Sequence, residues 1–536
     1  MNESKCKRID SSKQATFDSF VYEVPANPNS LDLKDGENNI SNPILPGCYP
    51  DPSICRVEKD YYLVNSSFSY FPGVPIWHSQ DLKHWDKLGY VLNRKSQLLL
   101  KDTINIRSGI YAPDIEYNKD NKTYYMITTG VECGGTFYVT TDDPKKCNWS
   151  DPIFLPNVKG IDPSILFDDD GKAYITYNDA PDGEPKYSGH RVIKIIEFNW
   201  RDNLVVGKPK IIVNGGTDIT KSPVWIEGPH LYHIEDTYYL MAAQGGTSIN
   251  HSEVVFSSKN PYGPFIPCEI NPILTQKNLD KDRINPVTCT GHADLVQTPN
   301  GKWYAVFLGV RPYKDNYDVM GRETFLLPVD WYKNQPVILY PEKAIKYNNY
   351  PSGIDSLWTK DGMSKDAFFI RTPQKQIYHI KNNGNLLLSL KDININEYKQ
   401  PSAICRWINN WIFSATTSVN YTPKYESNLA GLVLFQNDEC NICFGLSINK
   451  RSQRCLKLII NSKNVKKEEI EILLPNNNEK VYLKVSGDDK VNYTFSYKTD
   501  LKSDWNIVDK NVSADMLSTY VSGGFTGTAI GVYAVD

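Results

Sequence analysis

Three acidic residues stand in restrained settings at wide intervals along the 536-residue chain. Asp51 lies in Tyr49-Pro50-Asp51-Pro52-Ser53-Ile54, Asp162 in Ile161-Asp162-Pro163-Ser164-Ile165, and Glu227 in Ile226-Glu227-Gly228-Pro229-His230. A proline fixes its own φ and pushes the residue before it toward extended geometry, so Asp51 and Asp162 enter a strand on a stiff backbone. An aspartate before proline is also a common turn starter, and any one of the three taken alone reads as structural. Together they read otherwise. Carboxylates gathered in one place repel and lose solvation, which destabilises a fold unless the arrangement serves chemistry.

A repeat is what would gather them. Asp51-Pro52-Ser53-Ile54 is followed by Asp60-Tyr61-Tyr62-Leu63-Val64, a turn residue and then an aromatic, apolar run that reads as the next strand. The same two-part unit returns at Ala112-Pro113-Asp114-Ile115 with Tyr124, at Asp162-Pro163-Ser164-Ile165 with Tyr174, at Gly228-Pro229-His230-Leu231 with Tyr238, and at His292-Ala293-Asp294-Leu295 with Trp303. These aromatic anchors are 50 to 65 residues apart, a period suited to propeller blades with insertions. Five copies predict a five-bladed β-propeller. Its innermost strands would turn Asp51, Ala112, Asp162, Gly228 and His292, with Glu227 beside Gly228, toward one axis.

Composition sets the outer bounds. A formal net charge of −3 argues against nucleic acid or an anionic membrane as partner. No run of ~18 apolar residues is present to span a bilayer. The start, MNESKCKRID, has no apolar signal region, so the expected location is cytoplasmic, or periplasmic after loss of a signal. Most of the 34 tyrosines and 11 tryptophans read as core or cross-strand packing, and some excess is what carbohydrate sites use, because aromatic faces stack on the C–H face of a sugar ring. The 11 cysteines show no framework spacing and read as free thiols, the lone Cys440-Asn441-Ile442-Cys443 included. Residues 1–40 read as a polar tail or strap, 41–350 as the propeller, and 360–536, where short alternating strands lose the repeat, as a β-sandwich. The chain is thus expected to be all-β in two domains.

These residues carry a resemblance. GCYPDPSI, VNSSFSYFPGVPIWHSQDLKHW, GIYAPDIEYN, GIDPSILFDDDGKAY, IEGPHLY, GHADLVQTPNGKWY and GRETFLLPVDW resemble glycoside hydrolase family 43, in particular its β-xylosidase and α-L-arabinofuranosidase branch. NLAGLVLFQND and GGFTGTAIGVYA resemble that branch's accessory domain, a concanavalin-like jelly roll. The resemblance implies an inverting exo-hydrolase with Asp51 as general base, Glu227 as general acid and Asp162 tuning and orienting the acid. Such chemistry needs one carboxylate ionised to activate water and another protonated for the leaving oxygen, with a third negative charge keeping the acid protonated near neutral pH.

It further implies that Arg322 contacts substrate hydroxyls and that Phe68 and Tyr111 face the sugar. Phe525, from the sandwich, would close the pocket. His292 would lie near a central water or calcium ion, or act as a hydrogen-bonded core histidine; no cofactor is required, and a structural Ca2+ in the channel is open. Gln244 stands where many relatives have Glu, which leaves substrate preference open. The expected reaction is release of terminal β-D-xylose from xylo-oligosaccharides, with arabinose release from plant glycans, or both activities, as the alternative. A carbohydrate-binding propeller without catalysis is the competing class. The expected partner is an oligosaccharide or polysaccharide, and a homo-oligomer is not excluded.

Overall fold

Each copy of the repeat opens one antiparallel sheet. The protein, represented by a computed structural model, is described at residues 13–26, 40–348, 350–463, 465–475 and 480–536. It is all-β and divides into two compact units: one of residues 27–350 with 524–527, the other of residues 1–26, 351–523 and 528–536.

The first unit holds five sheets built from consecutive stretches of chain. Their first strands are Ser53–Val57, Asp114–Asn118, Ile161–Phe167, Glu227–Ile234 and Thr288–Gln297. The second strands are Asp60–Val64, Thr123–Val131, Ala173–Asp179, Thr237–Gln244 and Trp303–Val310, and each carries its aromatic anchor. Every first strand packs against the first strand of the next sheet, and the fifth packs against the first, so the five close a circuit. The anchors fill the layers between sheets: Tyr174 joins Ile193, Ile226, Leu231 and Tyr238 in one buried cluster drawn from two adjacent sheets. Residues ahead of Asp51 join the last sheet, since Leu45 bridges Thr324 and the Tyr49 amide donates to the Arg322 carbonyl.

The circuit carries two layers of side chains. Asp51, Asp162, Gly228 and His292 all have φ between 51° and 54°, a left-handed conformation rare outside glycine. At Asp162, Gly228 and His292 the ladder register also shifts, a bulge that re-aims a side chain. Two residues further on, where strand alternation returns to the same face, Ser53, Asp114, Ser164, His230 and Asp294 form a second, buried layer. Ser53 Oγ lies 3.0 Å from Asp114 Oδ1 and 2.9 Å from Asp294 Oδ2, and the Ile54 and Ile165 amides donate to these two aspartates. Neighbouring sheets are thereby bonded at the axis.

The second unit has a six-stranded and an eight-stranded antiparallel sheet, whose inner faces meet through contacts such as Phe444 with Phe495. Gln14–Val24 lies inside the eight-stranded sheet, paired with Leu386–Ser389 and Phe413–Asn420. This departs from the expected tail or strap. The alternating Ala15, Phe17, Phe20, Tyr22 and Val24 are buried, and that apolar face requires a sheet. Residues 1–12 and 27–39 of the expected tail lie outside those described. Among the described residues no helix is long and apolar enough to cross a membrane.

Candidate active site

Asp51, Ala112, Asp162, Glu227 and His292, contributed by all five repeats, line one cavity of about 390 Å³. Phe68, Tyr111, Arg322 and Phe525 line it too, so the predicted side chains meet in one place. The three acids are each more than nine-tenths buried.

Asp51 is held as an anion. Ser66 Oγ donates to its Oδ2 at 2.6 Å, and Arg322 Nη1 donates to Oδ1 at 3.2 Å. Burial works to raise its pKa, but Arg322, then His292 and the Ser66 hydrogen bond, outweigh it and hold the carboxyl below its ordinary value. Ser66 was not singled out from the sequence, although it lies inside the VNSSFSYF stretch.

Glu227 is the opposite case. Burial first, then the negative charges of Asp162 and Asp51, raise its pKa to about 8. Asp162 is itself raised to about 7, by burial and then by Asp51. Its Oδ2 accepts the Gly228 amide at 3.1 Å, which ties it to the backbone beside Glu227. Gly228 has to be glycine, because a Cβ there would lie 2.8 Å from His292 Nε2.

The aromatic wall is compact. Phe68 lies 5.7 Å from Tyr111 and 5.6 Å from Phe525, and the Arg322 guanidinium stands 5.4 Å from the Phe525 ring. The loop bearing Phe525, expected with the sandwich, belongs by its contacts to the five-sheet unit, where the Gly527 amide donates to Cys48 Sγ at 3.1 Å. Arg322 Nε is buried without a hydrogen-bond partner.

His292 lines the cavity with its Nδ1 3.5 Å from Asp51 Oδ1, and burial lowers its pKa to about 4, so the imidazole is neutral. Among the described residues, Asp114, His230 and Asp294 of the second layer are spaced closely enough to share an ion. They offer few oxygens for Ca2+, which takes six to eight, and those oxygens already accept from Ser53, Tyr232 and backbone amides. Gln244 is not in the cavity lining; its Oε1 accepts the Thr217 amide at 3.2 Å, so its side chain secures a loop. Trp225 and Arg191 are further site residues without a motif to announce them. Trp225 lines the cavity, and the positive charge of Arg191 acts on both Asp162 and Glu227.

A family model described as Glycosyl hydrolases family 43 matches residues 40–336, and one described as Beta xylosidase C-terminal Concanavalin A-like domain matches residues 359–536. The chain is 37% identical to a xylosidase/arabinosidase of Butyrivibrio fibrisolvens, covering 92% of this chain and 95% of that protein. It is 35% identical to a non-reducing end alpha-L-arabinofuranosidase of Bacteroides ovatus, covering 93% of this chain and 92% of that protein. The crystal structure of a GH43_12 protein retrieved from a capybara gut metagenome is similar with a TM-score of 0.87 and 39% identity, covering 98% of this chain and 100% of that one.

Proposed function

The chain belongs to glycoside hydrolase family 43, and from that premise we propose that it is an exo-acting, inverting hydrolase releasing a terminal pentose, β-D-xylose from xylo-oligosaccharides in the first place. One observation carries the proposal: a single cavity holds Asp51 with a depressed pKa and Glu227 with a pKa raised to about 8. At neutral pH that pair is poised with one acid ionised and the other protonated, the division of labour that inversion needs.

The reaction follows from these states. Glu227 gives its proton to the glycosidic oxygen as the bond to the anomeric carbon breaks. Asp51 takes a proton from the water that attacks the opposite face. The product is a free pentose of inverted anomeric configuration, and the two carboxyls exchange their protonation states until solvent restores them. Asp162 keeps Glu227 protonated through its charge and holds the adjoining backbone through Gly228. Arg322 orients Asp51 and, lining the cavity, presents its planar donor fork to sugar hydroxyls. Phe68, Tyr111 and Phe525 enclose the terminal ring.

The five sheets are read as the blades of a five-bladed β-propeller and the second unit as a jelly-roll β-sandwich. The closed circuit of first strands supports the propeller. Any Ca2+ in the channel would be structural.

Release of α-L-arabinofuranose is the second reading, favoured by the names of the Butyrivibrio xylosidase/arabinosidase and the Bacteroides arabinofuranosidase. Side-by-side assay on the nitrophenyl β-D-xyloside and α-L-arabinofuranoside ranks the two readings. Proton NMR of the first-formed sugar tests inversion, and a product that keeps the starting anomeric configuration would rule the mechanism out.

A further inference from the structure

An inverting hydrolysis gives its pocket two sides, one behind the attacking water and one behind the departing oxygen. Four aromatic rings line the pocket. Phe68, Tyr111 and Phe525 contact one another beside Arg322, the partner of Asp51. A fourth ring, Trp225, lies two residues before Glu227, lines the same cavity, and is 37% exposed.

Trp225 is held in place by several contacts. Its φ of 48° is left-handed, a conformation that costs energy for a bulky residue. Its amide donates to the Gly189 carbonyl at 2.9 Å, and the carbonyl of Val224 accepts the Gly245 amide at 2.7 Å. The Arg191 guanidinium lies 4.8 Å from the indole centroid. Arg191 Nε and Nη2 both donate to Asn178 Oδ1, at 3.0 and 2.6 Å, and Asn178 Nδ2 donates to the Ile226 carbonyl. One asparagine therefore secures both the support of the ring and the peptide leading into Glu227. The strained backbone fixes where the ring stands, and its exposed face is buried if a sugar covers it.

We infer that Trp225, backed by Arg191, is the platform for the sugar on the leaving-group side, the C–H face of the second xylopyranose of a xylo-oligosaccharide resting on the indole. The inference rests on the β-xylosidase reading. It follows from the placement of the acid, because the oxygen that Glu227 protonates belongs to the departing sugar.

The test compares kcat/KM of the full-length wild type and Trp225→Ala on xylobiose and on β-D-xylopyranosyl fluoride, whose leaving group needs no sugar site. The loss on xylobiose should exceed the loss on the fluoride by on the order of tenfold. Trp225→Phe, which keeps a ring and serves if the alanine variant does not fold, should shift that ratio in the same direction by less. Equal losses on both substrates, or no loss on xylobiose, overturn the platform. A wild type that turns over neither substrate overturns the β-xylosidase reading and the platform with it.

Discussion

Asp162 Oδ2 accepts the Gly228 amide at 3.1 Å, so the carboxylate that raises the pKa of Glu227 also holds the peptide beside it. The two roles can be separated. An Asp162→Asn side chain still offers an oxygen to the amide but carries no charge. Glu227 works in its protonated form, so activity is lost as pH rises through about 8. Removing a nearby negative charge lowers that pKa and should move the alkaline limb of kcat/KM to lower pH. Asp162→Ala, which removes both contributions, should lower kcat further. An alkaline limb that stays in place in Asp162→Asn would show that the charge does not tune the acid.

Asp51 and Arg322 govern the opposite limb. The base acts ionised, and its depressed pKa means activity is lost only as pH falls through a value below the ordinary carboxylate range. Arg322→Met removes the cation that counters the desolvation of Asp51, so the acidic limb should move to higher pH. Arg322→Lys restores a charge without the planar fork, and should recover the limb better than it recovers KM. A pH profile unchanged in Arg322→Met would separate the guanidinium from the base.

Much of this site could be read from the chain because the repeat is a period-two signal with an aromatic marker in each second strand. Asp51, Asp162, Glu227 and His292 followed from aligning its copies, and the same alignment shifted by two residues would have exposed Ser53, Asp114, His230 and Asp294 as a second layer. Gln14–Val24 was hidden for a physical reason. Its alternation breaks at Asp18-Ser19, where the register shifts between Phe17 and Phe20, and its partners lie hundreds of residues away. Trp225, Arg191 and Asn178 were hidden differently: a loop ring, its supporting cation and a strand-end amide share no period, and only tertiary contacts connect them.

Phe525 offers a test of the aromatic wall. Its ring touches Phe68, Tyr111 and Arg322, but none of these contacts reaches the proton carried by Glu227. Phe525→Ala should therefore raise KM for xylobiose by about tenfold and weaken inhibition by free xylose in parallel, with a smaller effect on kcat. A drop in kcat at constant KM would mean that the ring orders the catalytic groups rather than enclosing the sugar.

The amino-terminal strand makes the last prediction, and it concerns stability. Phe17 is fully buried inside the eight-stranded sheet, whereas Glu23, on the same strand, is exposed. A loose tail would tolerate either substitution. A core strand would not, because truncating a buried phenylalanine removes its transfer energy and leaves a cavity. Phe17→Ala should thus destabilise the unit that contains it by about 3–5 kcal/mol, and Glu23→Ala by no more than about 0.5 kcal/mol. Denaturant unfolding of the full chain, followed by tryptophan fluorescence, reads both. If Phe17→Ala costs no more than Glu23→Ala, the strand does not belong to that core.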